Sequence, residues 1–565
     1  MPLVHQDCLV RNYQPLFYLR LVKSRNGKKR KITGKIVKIQ DMVNLAIQRL
    51  LKYLVFMLSC IVTPILKLQY FKKRKRIPAI KNQLLLISAT EISRQIRKKM
   101  ISSEEVVKAY VERCTDVNPV INAIVESRFS AAIQEAQEVD KFLASTTKTE
   151  EELARETPFL GVPITVKESF AVEGMSHMAG VKKKSTRKAT KDAVVVSMVR
   201  KAGAIVLLVS NTPELCLNWE TSNKVTGTTR NPYDTRKIPG GSSGGEAALI
   251  SSAASIAGIA SDVAGSARLP AMFCGIFGHR PTSGLISTVG HNPYSHDESF
   301  RVYCTPGTMV RYAEDLSLMM KIMCQSEETW KKFEQKVSLK DMKFFYLEDC
   351  CAVTDSISRD VKQAMKKLRI HIETTYGLKV EKARLPAMKF VLNMASLMLS
   401  VNLDNIKDDI KCTGSSRCLL EELKSICGMS QNTLYAVTYT VTKWIYHKLS
   451  ESYEREVFVK KDKLKKQFEE LLGDNGVLIF PTFVSSAYYS NETYPNIFNF
   501  MYLTVANVLG IPATHCTMGL DKQGLPVGLQ IMAKAGNDHL TIAVAKEIDR
   551  AFGGWQLPPM TELQV

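Results

Sequence analysis

Residues 239–249 read PGGSSGGEAAL, two glycine pairs around Ser242 and Ser243. Hydroxyls in such a stretch can belong to a hydrolase turn, to a phosphate cradle or to a flexible linker. The spacing Gly240, Ser242, Gly244 matches the G-x-S-x-G elbow of serine hydrolases, but that elbow follows a strand, and TTRNPYDTRKIPG before it is rich in turn formers. No Gly-Lys-Ser/Thr follows, so a phosphate loop would lack its lysine. A second glycine-serine turn, SDVAGSARLP (Ser261–Pro270), comes after AALISSAASIAGIA, a small and apolar spacer of the kind found in a tightly packed internal helix and strand. Two serine turns bracketing a buried element are not a linker. Upstream, the apolar β-rich run PFLGVPITVKESF (Pro158–Phe170) carries Lys167, either a strand-end charge reaching solvent or a buried amine with a chemical task.

The elements that must position these residues are legible from residue 88 onward. SATE (Ser88–Glu91) and SSEE (Ser102–Glu105) each place serine three residues before glutamate, the capping-box arrangement, and helical apolar spacing follows both. NPVINAIV (Asn118–Val125) reads as a turn into a strand, AAIQEAQEVDKFL as a helix and TTKTEEELARE as a charged surface loop. DAVVVSMVRKAGAIVLLVSNTPEL then gives helix, Gly203 as C-cap, strand and turn, an alternation that predicts an α/β sheet core.

Charge and hydropathy divide the chain unevenly. Of a net charge of +22, about +17 lies in residues 1–81, which hold 19 Lys/Arg against Asp7 and Asp41, so the rest of the chain is only weakly basic. That argues against a chain-long nucleic-acid surface, although KKRK at 28–31 has the composition of an import or RNA-binding patch. The 14 uncharged residues from Tyr53 to Leu66 span about 21 Å as a helix, and with Lys52 and Lys67 snorkelling the usable segment extends from about Leu45 to Phe71, enough for a ~30 Å hydrocarbon layer. Basic residues flank it on both sides, which leaves its orientation open. Thirteen cysteines without a CxxC pair point to reduced thiols rather than a disulfide framework or zinc site, while the sequon Asn491-Glu492-Thr493 leaves a luminal placement open.

Lys167 in GVPITVKESF, Ser242 in GGSSGGEAAL and Ser266 in SDVAGSARLP, 75 and 24 residues apart, resemble the three motifs of the amidase signature family. NPYD (Asn231–Asp234), CGIFGHRPTSG (Cys274–Gly284), RYAEDL (Arg311–Leu316), NVLGIPAT (Asn507–Thr514) and GLPVGLQ (Gly524–Gln530) extend the likeness from residue 88 to the C terminus. GGSSGGE, CGIFGH and the terminal AKEIDRAFGGW most resemble its membrane-anchored branch that hydrolyses fatty-acid amides. The resemblance implies an α/β fold with a central mixed, twisted sheet covered by helices on both faces, plus an N-terminal hydrophobic helix. It divides the chain into a flexible basic extension (1–44, with Met42 an alternative start), a membrane anchor or interfacial helix (45–71), a basic linker (72–87) and a catalytic domain (88–565).

The implied chemistry is a Ser-Ser-Lys triad. Ser266 would be the nucleophile, Ser242 the bridge that relays its proton, and Lys167 the base and later the acid. Burial disfavours an ammonium form, which is what a lysine base requires. The resemblance also places Ser242 on a non-proline cis peptide. The backbone amides of Val263, Ala264, Gly265 and Ser266 would form the oxyanion hole, Ser243 would join the network or hold the turn, and Asp262 and Arg268 would brace it. No metal or cofactor is implied. The expected partners are a lipid-like amide and a membrane, with a homodimer open and no nucleic acid.

The chain departs from the family pattern at Ala264, where glycine is usual, and at Ala267, Thr308 and Thr517. If Ala264 required positive φ, its Cβ would strain the oxyanion hole. A catalytically impaired, membrane-tethered binding or scaffold protein is therefore the alternative to a working hydrolase. The loop TPELCLNWETSN (Thr212–Asn223) is the choice for the acyl pocket wall, and TLYAVTYTVTKWIYHKL (Thr433–Leu449) reads as a core helix or a membrane-facing entrance.

Overall fold

A computed structural model describes residues 27–71, 74–183, 187–400, 415–446 and 451–561. The chain divides into two units, residues 1–51 and residues 52–565. The apolar segment lies in a helix, Gly27–Gln69, that begins well before the boundary placed at residue 45. Residues 27–44 are helical, and apolar residues recur at helical spacing through this basic stretch, at Ile32, Ile36, Ile39 and Val43. Residues 1–26 lie outside the described residues. Between Leu45 and Gln69 the helix is long and apolar enough to cross a membrane, and Leu54, Phe56, Ile61 and Ile65 are each more than half exposed.

Within the second unit, this helix meets the body through an ion pair of Lys52 with Asp355 and, just beyond its end, a stack of Tyr70 on Tyr489. Residues 77–79, within the stretch 72–87, also contact the body. Arg113 donates to the carbonyls of Pro78 and Ala79, and Ile77 forms a bridge with Met560.

The strands, in chain order, are β1 (Ile124–Ser127), β2 (Pro163–Lys167), β3 (Ile205–Ser210), the short pair β4 (Ser222–Asn223) and β5 (Gly227–Thr228), β6 (Ala257–Asp262), β7 (Phe277–Arg280), β8 (Thr305–Val310), β9 (Lys343–Tyr346), β10 (Val380–Lys382), β11 (Gly476–Pro481), β12 (Ala513–Leu520) and β13 (Pro526–Ala533). Among the described residues, eleven of them form one sheet in the order β1-β3-β2-β6-β8-β7-β12-β13-β11-β9-β10. It is mixed: β2 runs parallel to β3 and β6, and β9 parallel to β10 and β11, while β6–β8, β7–β12 and β12–β13 are antiparallel. β2, β3 and β6 are buried along their whole lengths, as strands covered on both faces must be.

Local signals held where the chain had a reason to obey them. Ser88 and Ser102 accept from the amides of Glu91 and Glu105 and so cap their helices. The full reciprocal capping box forms instead at Thr149 and Glu152, inside the stretch read as a charged loop. A helix, Glu150–Glu156, forms there because that box caps it and Leu153 is buried beneath it.

Candidate active site

Lys167 is the last residue of β2, a wholly buried strand, and stands at the strand end where open α/β sheets commonly hold their sites. Its Nζ donates to Ser242 Oγ at 2.6 Å and to Ser261 Oγ at 2.9 Å. All three residues are at most 1% exposed, and among the described residues no carboxylate lies within ion-pair distance of Lys167. Ser261 belongs to β6, the parallel neighbour of β2. Ser242 follows a cis peptide at Gly241–Ser242, and its carbonyl accepts from Thr212 Oγ1 at 3.1 Å. The chain then enters the fully buried helix Gly244–Ser251 and continues to β6, the helix and strand expected of the spacer. Ser243 ties the two serine turns together: its Oγ donates to the Ser261 carbonyl at 3.4 Å and its amide to the Ser266 carbonyl at 3.3 Å.

Ser266 stands in the tight turn between β6 and the helix Arg268–Phe273. Asp262 organises that turn. Its carboxylate accepts from the amides of Gly265 (2.8 Å) and Ala267 (3.2 Å), from Arg268 through Nε and Nη2 (3.0 Å each) and from Asn507 Nδ2 (2.9 Å). Burial alone would raise the Asp262 carboxyl, but the Arg268 guanidinium and these hydrogen bonds outweigh it and hold the group well below the usual carboxylate range. Arg268 donates onward to Gln530 of the GLPVGLQ segment at 2.6 Å, which couples a C-terminal motif to the turn.

The four amides expected to face an oxyanion are therefore not equivalent. The Gly265 N–H is spent on Asp262, whereas those of Val263, Ala264 and Ser266 donate to no protein acceptor among the described residues. The backbone also separates the two residues in question. Gly265 sits at φ +92°, and a Cβ there would meet Leu503 at 2.5 Å; Ala264 is not in the left-handed region. The position that demands glycine has kept it. Ala264 is held instead by its carbonyl, which accepts from Trp219 Nε1 at 2.9 Å. Of the other departures, Thr308 donates to the Gly258 carbonyl across the sheet and Thr517 is a buried residue of β12.

Ser266, Val263 and Ala264 line a cavity of about 240 Å³. The loop chosen for the acyl wall supplies Leu215, Cys216, Leu217, Asn218 and Trp219, and the helix Leu434–Tyr446 supplies Tyr435, Thr438 and Tyr439. Phe300, Met398 and Ile497 complete a predominantly apolar surface.

The family profile described as Amidase matches residues 105–542. The chain belongs to the amidase family. It is 38% identical over 484 residues to human fatty-acid amide hydrolase 2, covering 84% of this chain and 91% of that one. It is 37% identical over 495 residues to fatty-acid amide hydrolase 2-B of Danio rerio, covering 86% and 93%. A solved fatty acid amide hydrolase superposes with a TM-score of 0.67 at 23% identity, over 84% of this chain and 86% of that chain, and shares the fold. The chain is thus an amide-hydrolysing enzyme of the amidase signature fold, with a large mixed sheet flanked by helices.

Three residues of this amidase's candidate site escaped the sequence reading. Ser261 lies inside a quoted motif, but its contact with Lys167 depends on the pairing of two strands. Trp219 lies in the loop assigned to the acyl wall, and nothing local announces that its indole reaches the Ala264 carbonyl. His291, in the cavity wall, is a lone histidine in a loop and carries no signal at all.

Proposed function

We propose that this amidase cleaves fatty-acid amides, such as primary fatty amides or N-acylethanolamines, at a membrane, with Ser266 as nucleophile, Ser242 as proton bridge and Lys167 as base. The observation that carries this reading is the buried Lys167–Ser242 hydrogen bond beside an apolar cavity whose wall contains Ser266. As the Ser266 oxygen bonds to the carbonyl carbon, its proton passes to Ser242 while the proton of Ser242 passes to Lys167 Nζ. The negative charge that develops on the carbonyl oxygen is met by the free amides of Val263, Ala264 and Ser266. Lys167 then returns its proton through Ser242 to the leaving nitrogen, the C–N bond breaks, and water releases the acid from Ser266 by the same relay. Asp262 and Arg268 hold the turn and do not touch substrate.

The apolar cavity wall suits an acyl chain, and the relatives named above are fatty-acid amide hydrolases. The exposed apolar flank of Leu45–Gln69 suits an anchor that keeps the enzyme where such substrates partition.

The test is turnover of a long-chain primary amide by the wild type, Ser266→Ala and Lys167→Ala across pH. Ser266→Ala abolishes turnover and fluorophosphonate labelling, and the residual rate of Lys167→Ala rises steeply toward alkaline pH as hydroxide replaces the missing base. Retained turnover in Ser266→Ala would sink the assignment.

A further inference from the structure

His291 lines the same cavity as Ser266 and is only 4% exposed. Its Nδ1 lies 2.8 Å from the carbonyl oxygen of Pro293, which can only accept, so Nδ1 carries the proton and Nε2 presents a lone pair. Nε2 is buried and has no hydrogen-bond partner among the described residues. Burial pushes the ring down to about 3, so it stays neutral and the lone pair stays available. A buried acceptor left unpaired at the wall of a binding cavity is a group waiting for a donor from a ligand.

The placement says which part of a ligand. The ring meets Phe170 edge-on at 4.8 Å, Phe170 and His291 form an isolated bridge, and the Asn292 amide donates to the Ser169 carbonyl at 2.7 Å. His291 is therefore fastened to the segment that leaves Lys167, the residue that returns its proton to the departing nitrogen in the relay proposed above.

We propose that His291 Nε2 accepts a hydrogen bond from an N–H of the substrate's amine portion, which makes it a specificity-determining contact for amides over esters. The inference rests on the hydrolase reading above. It is a binding contact rather than a proton-transfer step: an N–H turned toward His291 fixes the orientation of the nitrogen, leaving its lone pair to the relay. An ester has no N–H and leaves Nε2 unpaired.

The experiment measures kcat/KM for a long-chain primary amide and for the methyl ester of the same acid, with fluorophosphonate labelling of Ser266 as a check on the fold. In His291→Val, or in His291→Leu if the valine variant does not label, the amide-to-ester ratio falls about tenfold, the worth of one hydrogen bond. His291→Gln, which keeps an acceptor, recovers most of the ratio. A ratio within about twofold of wild type in an acceptor-less variant that still labels, including the case where both rates fall together, overturns the proposal and leaves His291 a packing role. A wild type that cleaves the ester but no amide would instead sink the hydrolase assignment and this contact with it.

Discussion

At the scale of single residues, the proposed mechanism places the oxyanion donors and the nucleophile in the turn Asp262–Ser266. The contrast between Gly265 at φ +92° and Ala264 outside the left-handed region makes opposite predictions for two small substitutions. Gly265→Ala places a Cβ 2.5 Å from Leu503 and forces an L-residue into a left-handed conformation, so it lowers stability by at least about 1–2 kcal/mol and slows turnover. Thermal unfolding and kcat measured together check it. Ala264→Gly tests the impaired-enzyme alternative. Loss of one oxyanion donor costs about 10²–10³ in kcat, so a glycine that repaired a broken hole would restore about a hundredfold. The backbone says the hole is not broken, and the expected gain is less than about tenfold.

At the scale of elements, the buried helix Gly244–Ser251 is locked to β2 by Thr165 Oγ1, which donates to Glu246 at 2.6 Å. Burial pushes the Glu246 carboxyl up to about 7, against the opposing hydrogen bonds. Glu168, next to Lys167, is likewise raised to about 7 by burial. The sign follows from proton counting. Between pH 4.5 and 7 the folded state holds protons that the unfolded state has released, so stability falls as pH rises through that window and levels off above it. Urea melts from pH 4.5 to 8 should show this decline, and Glu246→Gln should flatten part of it, Glu168 retaining its share. A slope unchanged by Glu246→Gln would mean that Glu246 ionises as freely in the folded protein as in the unfolded chain.

At the scale of the whole molecule, the proposed anchor makes its own prediction. Ile61 and Ile65 are both exposed on the apolar helix, and aspartate near the middle of a membrane helix costs about 2.5–3.5 kcal/mol per residue. Full-length Ile61→Asp/Ile65→Asp protein should therefore move from the vesicle pellet to the supernatant in a sedimentation assay while Ser266 still reacts with a fluorophosphonate. Co-sedimentation equal to wild type would remove the anchor from the functional reading. The basic stretch that ends at Arg76 raises binding to anionic vesicles in particular, so the wild-type pellet fraction should fall with salt.

The sequence by itself determined the motifs, the α/β alternation, the serine caps of two helices, the buried spacer between the serine turns and the apolar N-terminal segment. These are short-range properties, written in spacing and composition. It misread TTKTEEELARE because negative charge dominated a stretch whose Thr149–Glu152 box and single buried leucine make a helix. Only the tertiary structure decided that Ser261 meets Lys167 across 94 residues, that Gln530 holds Arg268 across 262, that Gly265 spends its amide on Asp262, and that His291, a residue of the cavity wall, carries an unpaired nitrogen. The physical reason is that strand order and side-chain convergence are selected by burial of the whole sheet, to which each short segment contributes only part.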